Sequence, residues 1–483
     1  MKRIEKLLKL MSAPSQVFVQ RAVCLFLLIC FSITPPLYSQ NVDFKTGIII
    51  DSVGVKNSNE TFALYLPKKF DKNTPASIVF IFEPAGRGKV GILPFIEAAE
   101  TYNYILVCSN DSRNGPFETN IDIVNRLFGS VFTSFLLNEE RIYVAGFSGG
   151  SRLASALAVL SKKITGVIAC GAGFSSYLLH KPMTKADYSY VGLIGEQDMN
   201  YQEMLSAQDW LDGLQMYNEL FINGDGHSWP ASDQILKAFD WLELEAFRKY
   251  QKPIDWFVIN KIYKRFYEEA SSNESQNKIE SAVWEYGRLQ RNFIDYYTLD
   301  SISEKVTKLK ETVEYRKQSR NRMSLKIQEE TIKRAFLNRF ASEIKKTPPV
   351  HKIKWWQKKL INLREKYLLS EDRQKQLLGI RVSNMLYSLA IESANIHLQD
   401  KNYNKSLYCH QVLAELQPKG TYPIFLIAKD YASLYREDET FEYLELAISM
   451  GFSKKEYILN APEFYKYRSY ERFENLIKLM EML

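Results

Sequence analysis

Short apolar runs alternate with helical stretches over the first half of the chain, up to about residue 250. The runs are rich in Val, Ile, Phe and Tyr and are bounded by turn residues, which predicts buried strands. Strands that alternate with helices predict a doubly wound, mostly parallel sheet, but no long helical stretch separates the first two runs, so we expect an antiparallel hairpin there. The predicted strands are residues 47–53, 61–66, 77–82, 104–108, 141–147, 165–170, 188–194 and 219–223.

The pattern changes after Lys252-Pro253, where β-branched runs give way to long segments rich in Glu, Lys, Arg, Tyr and Leu. This composition predicts an all-α region. Because 483 residues exceed the length of one ordinary domain, two domains are the first expectation. We therefore predict an α/β domain over residues 40–250 and an α-helical domain over residues 251–483.

A weak repeat is visible near the end of the helical region. Ala394 and Leu413 recur 34 residues later as Ala428 and Ala447. The period and the alternation of small and large residues are typical of tetratricopeptide-type helix pairs. We predict tetratricopeptide-like repeats near residues 385–483, and a protein partner is a possible ligand of such a domain.

The first residues of the chain resemble a targeting segment. Residues 1–21 are basic, and an apolar run over residues 22–31 follows them, which predicts a secretory signal over residues 1–39. The apolar run is short for a membrane span, so we expect no integral span after cleavage and an exported protein, periplasmic or secreted. Two alternatives stay open, namely a translation start at Met11 and an uncleaved signal that acts as an anchor.

Charge and cysteine content narrow the range of partners. Residues 1–39 carry five positive charges and one negative charge, so their removal lowers the formal net charge from +7 to +3. A weakly basic protein gives no indication of a nucleic-acid partner. Only Cys108, Cys170 and Cys409 would remain, which predicts no disulfide framework despite export.

The strongest chemical signal is a serine between glycines. An apolar strand runs into Gly-Phe-Ser-Gly-Gly at residues 146–150, and a helix-forming run follows. In a nucleophile elbow the turn holds the serine in a strained backbone conformation, and side chains at Gly146 or Gly150 would collide with the neighbouring strand and helix. The motif predicts Ser148 as a nucleophile, although a similar Gly-Ser-Gly sequence can also be an ordinary turn.

A serine nucleophile needs a histidine base, which a carboxylate orients. Asp198 follows the seventh predicted strand and His227 follows the eighth, in the chain order Ser, acid, His of this kind of fold. Because open α/β sheets build their sites at the carboxyl ends of the strands, we expect Ser148, Asp198 and His227 to meet at one edge. Glu196 is the alternative acid.

Two motifs carry a family resemblance. Gly-Phe-Ser-Gly-Gly at residues 146–150, followed by Gly-His-Ser-Trp-Pro at residues 226–230, resembles the polyhydroxybutyrate depolymerase and feruloyl or acetylxylan esterase group of α/β hydrolases. The resemblance covers roughly residues 45–248. It implies a serine esterase mechanism, in which the serine forms an acyl-enzyme and the histidine, held by the aspartate, transfers the proton.

The same mechanism requires two backbone N–H groups for the developing oxyanion. Gly149, directly after the nucleophile, is the first candidate. The second is expected in the loop after the third strand, where the resembling esterases usually carry His-Gly and this chain carries Glu83-Pro84. Since proline has no N–H, Ala85 is the candidate donor.

Further site residues are predicted more weakly. Arg113, in a loop at the same edge of the sheet, and Trp229, beside the histidine, are candidate substrate contacts, although Arg113 could equally be a solvated residue of an ordinary turn. His397, Cys409 and His410 lie near repeat packing positions without further ligands, so we predict no metal site. No phosphate-binding glycine loop is present either, and we predict no cofactor.

The leading hypothesis is an exported serine hydrolase that cleaves carboxylic esters, either small molecules or polymers, through a Ser-His-Asp triad. A serine peptidase on the same fold is the second hypothesis, because peptidases use the same arrangement of residues. The third is an interaction protein, in which the helical repeats bind a partner and the α/β half is a non-catalytic scaffold.

Overall fold

The computed structural model describes residues 44–482, so the predicted signal segment, residues 1–39, lies outside the described residues. All eight predicted strands are present, with ends that differ from the prediction by four residues at most. The strands are β1 (Ile49–Gly54), β2 (Thr61–Tyr65), β3 (Ala76–Phe82), β4 (Tyr104–Ser109), β5 (Leu137–Phe147), β6 (Gly166–Cys170), β7 (Ser189–Gly195) and β8 (Asn218–Asn223).

The strands form one sheet in the order β1-β2-β4-β3-β5-β6-β7-β8. Strand β1 is antiparallel to β2 and β2 is antiparallel to β4, whereas every other neighbouring pair is parallel. This arrangement confirms the mostly parallel sheet and the opening hairpin, and it is that of the α/β-hydrolase fold. The carboxyl ends of β5, β7 and β8 lie at one edge, where this fold places its sites.

Both faces of the sheet are covered by helices. Alternate residues of β3 point to opposite faces, with Phe80 in one hydrophobic cluster and Ile81 in the other. Every residue of β3 is buried, as expected for a central parallel strand. The helices of this half are α1 (Gly88–Ile92), α2 (Ile96–Tyr102), α3 (Phe117–Phe132), α4 (Gly149–Leu160), α5 (Tyr201–Gly213) and α6 (Ser232–Arg248).

The chain after residue 250 is helical, as predicted. Side-chain caps begin several of these helices; for example, Asp255 accepts from the N–H groups of Phe257 and Val258. The helices are α7 (Trp256–Ser275), α8 (Ile279–Phe293), α9 (Asp300–Glu311), α10 (Val313–Ile344), α11 (Ile353–Leu363), α12 (Arg373–Gln399), α13 (Tyr403–Leu416), α14 (Thr421–Ser433), α15 (Glu437–Ser449), α16 (Lys455–Asn460) and α17 (Glu471–Met482).

Packing continues across the predicted domain boundary. The buried apolar residues of α7, α8 and α9 belong to the same hydrophobic cluster as one face of the sheet. Phe266 of α7 contacts Phe221 of β8 edge to face, with ring centroids 5.7 Å apart. Arg288 of α8 donates to the carbonyl oxygen of Leu220 at 2.8 Å. The first helices after residue 250 therefore share the core of the α/β half.

Helices α12 to α15 form two pairs with a common spacing. Helices α12 and α14 end at residues 399 and 433, while α13 and α15 begin at residues 403 and 437, and both differences are 34 residues. Ala394 and its counterpart Ala428 are both fully buried. The spacing equals that of the sequence repeat, and the tetratricopeptide-like assignment stays a prediction.

Cys108, Cys170 and Cys409 are buried, and no disulfide joins them. Burial raises the pKa of each thiol, which keeps the sulfur protonated and unreactive. Between residues 44 and 482, no helix is both long enough and apolar enough to cross a membrane.

Candidate active site

Ser148 occupies a strained turn between β5 and α4. Its backbone has φ 54° and ψ −115°, a conformation that side-chain-bearing residues rarely adopt. A Cβ at Gly146 would lie 2.2 Å from the carbonyl oxygen of Gly150, and a Cβ at Gly150 would lie 2.0 Å from that of Phe82. Both positions therefore require glycine, and the crossing of strand and helix explains why the motif has this spacing.

The space around two glycines predicts opposite effects of their substitution by alanine. Gly150→Ala is expected to lower the free energy of unfolding by about 3 kcal/mol, because the added methyl group meets backbone atoms that cannot move aside. Gly129→Ala is the matched control, since a Cβ there meets open space in α3, and we expect a gain of up to about 1 kcal/mol. Urea unfolding of both variants tests the argument, and equal stabilities would contradict it.

The structure brings Ser148, His227 and Asp198 together. The Ser148 Oγ lies 2.9 Å from Nε2 of His227, and Nδ1 of His227 lies 2.8 Å from Oδ2 of Asp198. A carboxylate only accepts, so Nδ1 carries the hydrogen of the second contact. Nε2 is then free to accept from the serine hydroxyl, which is the arrangement that a histidine base requires.

Asp198 is held from several sides. Its carboxylate is buried, and Oδ1 accepts from the Asn200 N–H at 2.8 Å, which leaves Oδ2 for His227. The side chain of Asn200 donates in turn to the carbonyl oxygen of Gly171 at 2.8 Å. Glu196, the alternative acid, lies two residues earlier, and the carboxylate in contact with His227 is that of Asp198.

Trp229 packs behind the site. Its ring contacts Phe147 at a centroid distance of 5.4 Å and Phe95 at 5.7 Å, within the hydrophobic cluster on one face of the sheet. Phe147 also contacts the imidazole of His227 at 4.7 Å. Trp229 therefore packs against Phe147, which in turn contacts His227, and it is not among the residues that line the cavity described below. Its contact with a substrate stays a prediction.

The two candidate oxyanion donors differ in their surroundings. Gly149 begins α4, and the first N–H groups of a helix have no acceptor within that helix. The Ala85 N–H instead donates to Oε2 of Glu83 at 2.7 Å, so it is engaged in this structure. An oxyanion role for Ala85 requires this bond to break first.

Glu83 organises the loop after β3. Burial raises the pKa of this carboxyl, but hydrogen bonds from the Arg87 side chain and from the N–H groups of Arg87 and Ala85 outweigh burial and hold the pKa below its ordinary value. Glu83 is therefore an ionised, buried group directly beside the site. The sequence signal for it was the replacement of His-Gly by Glu83-Pro84.

A cavity of about 1240 Å³ opens beside Gly149. One wall contains Tyr177, Leu178 and Leu179, whose side chains are about two-thirds exposed. Arg113 also lines this cavity, and its contact with a substrate stays a prediction. Sequence reasoning missed this wall, although consecutive large apolar residues in a loop after a strand are a recognisable signal.

Two polar features near this cavity were also missed. The Asn114 side chain lies directly over Gly149, where a Cβ would come within 1.8 Å of the Asn114 Oδ1. His180 stacks on Phe117 with ring centroids 3.9 Å apart, and its Nδ1 lies 2.8 Å from the Ser175 Oγ.

Among residues 44–482, no group of His, Cys, Asp and Glu side chains has the arrangement of a metal site.

No family model and no curated protein matches this sequence. Similar solved structures include an S-formylglutathione hydrolase from Staphylococcus aureus, with 16% identity over 38% of this chain and 90% of that chain at a TM-score of 0.33. A second is the fluorophosphonate-binding serine hydrolase F of Staphylococcus aureus, with 14% identity over 41% of this chain and 99% of that chain at a TM-score of 0.34. A third is a feruloyl esterase module of Clostridium thermocellum, with 13% identity over 38% of this chain and 83% of that chain at a TM-score of 0.32. At these scores the fold assignment rests on the strand order and the strained elbow.

Proposed function

We propose that the protein is an exported serine hydrolase that cleaves carboxylic esters through a covalent acyl-enzyme. The observation that supports it best is the pair of contacts that links the Ser148 Oγ to His227 and His227 to the buried Asp198. The strained elbow adds to this, because it projects the serine at the edge of the sheet where a substrate can approach.

In the proposed reaction the Ser148 Oγ attacks the ester carbonyl carbon while Nε2 of His227 takes the hydroxyl proton. Asp198 stabilises the imidazolium that forms, and the Gly149 N–H faces the oxyanion. Collapse of the intermediate breaks the ester C–O bond, and His227 returns the proton to the departing alcohol. Water then attacks the acyl-enzyme by the same steps and releases the acid.

The direct test is turnover by the purified protein of p-nitrophenyl butyrate and of the matched p-nitroanilide. The proposal predicts hydrolysis of the ester and a much slower or absent reaction with the anilide, whose leaving amine requires protonation. Faster cleavage of the anilide would favour the peptidase hypothesis. No turnover of either compound by the folded protein would contradict the proposal.

The cavity favours esters with a bulky apolar group, because its exposed wall gains most from covering such a group. We expect Leu178→Ala to lower kcat/KM for p-nitrophenyl hexanoate about tenfold, which is the scale of losing several apolar contacts. The acetate ester should change by no more than about twofold. Leu369→Ala removes a comparably exposed leucine that does not line the cavity, and an equal effect of the two variants would exclude the cavity as the acyl site.

A further inference from the structure

The loop that carries Asp198 is in contact with the helical half of the protein. This acid loop, residues 196–200, lies between β7 and α5. Three of its backbone carbonyl groups accept hydrogen bonds from side chains of α10 and α12. The bonds run from Arg381 Nη1 to the Glu196 oxygen (2.8 Å), from Asn384 Nδ2 to the Gln197 oxygen (3.1 Å) and from Lys333 Nζ to the Met199 oxygen (2.8 Å).

The accepting carbonyl groups lie within two residues of Asp198, two before it in the chain and one after it. Two N–H groups of the acid loop bond in another direction. Glu196 donates to the carbonyl oxygen of Asn223, the last residue of β8, and Gln197 donates to that of Asp225, in the histidine loop (residues 224–231) that carries His227. The acid loop is therefore held between the histidine loop on one side and the helical half on the other.

A buried carboxylate fixes two of the three donors. Glu329 of α10 is fully buried and forms ion pairs with Arg381 and Lys333, both at 2.7 Å. Burial raises the pKa of Glu329, but the hydrogen bonds and charges of Arg381 and Lys333 outweigh burial and lower the pKa below its ordinary value. The guanidinium of Arg381 also lies over the ring of Tyr201, the residue that begins α5, at 4.7 Å.

The cluster of Glu329, Arg381 and Lys333 is better explained by the orientation of its side chains than by a gain in stability. The free-energy cost of removing charges from water offsets most of their mutual attraction, so buried ion pairs are weak evidence of net stabilisation. Its three charges do, however, fix the direction of two long side chains that would otherwise sample many rotamers. The result is a rigid set of donors aimed at a loop, and loops belong to the less stable parts of a fold.

We propose that Lys333, Arg381 and Asn384 are positioning residues, which hold the backbone of the acid loop so that Asp198 stays within hydrogen-bond distance of His227. This inference rests on the proposed function for its kinetic consequence. It gives the helical half a role inside the catalytic unit, as the support of its acid, whether or not the same helices also bind a partner.

The hydrogen bonds of the three positioning residues reach the acid loop and not the cavity beside Gly149, which determines the expected effect on kcat and KM. The cavity beside Gly149 has its apolar wall at residues 177–179, and none of the three positioning residues lines this cavity. Loosening the acid loop should therefore lower kcat with little change in KM. A displacement of about 1 Å in a catalytic group costs up to about 100-fold in rate, and we expect a loss of between about 10-fold and 100-fold for Asn384→Ala.

A double-mutant cycle separates positioning from general damage. If Asn384 acts through Asp198, Asn384→Ala should cause little further loss in an Asp198→Asn background, where the acid no longer works. Asn395→Ala is the matched control, because Asn395 is an exposed asparagine of the same helix. Lys333→Met provides a second variant for the same cycle if Asn384→Ala does not fold.

A spectroscopic readout makes the test independent of turnover. The Nδ1 proton shared by His227 and Asp198 should give a downfield proton resonance that Asp198→Asn removes. The proposal predicts that Asn384→Ala shifts or broadens this resonance and that Asn395→Ala does not. An unchanged resonance with unchanged kcat, or equal losses of kcat in both backgrounds, would overturn the positioning role. Absence of turnover with the resonance affected as predicted would reject the proposed function alone.

Discussion

Ser148→Ala is expected to lower kcat for an ester by a factor of about 10⁶, the scale reported when a serine nucleophile is removed from a triad. Without Oγ no acyl-enzyme forms, and Nε2 of His227 loses the group that it would deprotonate. Folding should be unchanged, because alanine accepts the same backbone strain and the lost hydroxyl makes one partly exposed hydrogen bond. The measurement is kcat with p-nitrophenyl butyrate, together with the thermal unfolding midpoint of both proteins.

Ser206→Ala serves as the control for this substitution, since Ser206 is an exposed serine of α5 that bonds only to the carbonyl oxygen of Gln202. We expect this variant to retain full activity. If Ser148→Ala kept more than about one thousandth of the activity, the nucleophile would have to be another group.

Asp198→Asn is expected to lower kcat by about 10⁴-fold. The amide keeps the shape of the carboxylate but cannot stabilise the imidazolium, and its NH₂ group favours the wrong tautomer of His227. The loss should be smaller than that of Ser148→Ala, because the nucleophile and the oxyanion donors persist. Steady-state kinetics on the same ester measure the difference.

Glu196→Gln provides the matched control, as it makes the same carboxylate-to-amide change two residues away. The Glu196 carbonyl group contacts Arg381, and this contact does not involve the carboxylate. We expect kcat within about threefold of the wild type, the scale of an uninvolved surface charge. A larger loss for Glu196→Gln than for Asp198→Asn would reassign the acid.

The sheet could be predicted because its strands are buried on both sides. Central strands such as β3 and β7 are continuous apolar runs, and such runs are visible in a single sequence. Strand β5 begins at Leu137, four residues before its predicted start. The sequence did not show this part of the strand, because Asn138, Glu139 and Glu140 break the apolar pattern at its exposed end.

The principal site residues could be predicted for a related reason. Each of Ser148, Asp198 and His227 lies within four residues of the carboxyl end of a strand, and parallel strands bring their carboxyl ends to one edge of the sheet. The bond between Ala85 and Glu83 depends instead on the path of one loop, which no local pattern encodes. The same holds for Trp229, whose position depends on how Phe147 and Phe95 pack.

The contacts of the helical half lay beyond sequence reasoning. Arg381 and Asn384 are separated from the acid loop by more than 180 residues, and their charged or amide side chains resemble those of any solvated helix face. The composition change at residue 252 indicated a separate domain, whereas α7 to α9 join the core of the sheet. A domain boundary drawn from composition does not show which surfaces the two parts share.

The central claim is that Ser148 is an activated nucleophile, and covalent labelling tests it most directly. The purified protein would be treated with a fluorophosphonate probe, and the modified residue would be located by mass spectrometry of the peptides. We predict one adduct, on Ser148, which is absent in Ser148→Ala and forms much more slowly in Asp198→Asn. A folded wild-type protein that stays unlabelled, or that carries its adduct on another residue, would contradict the account.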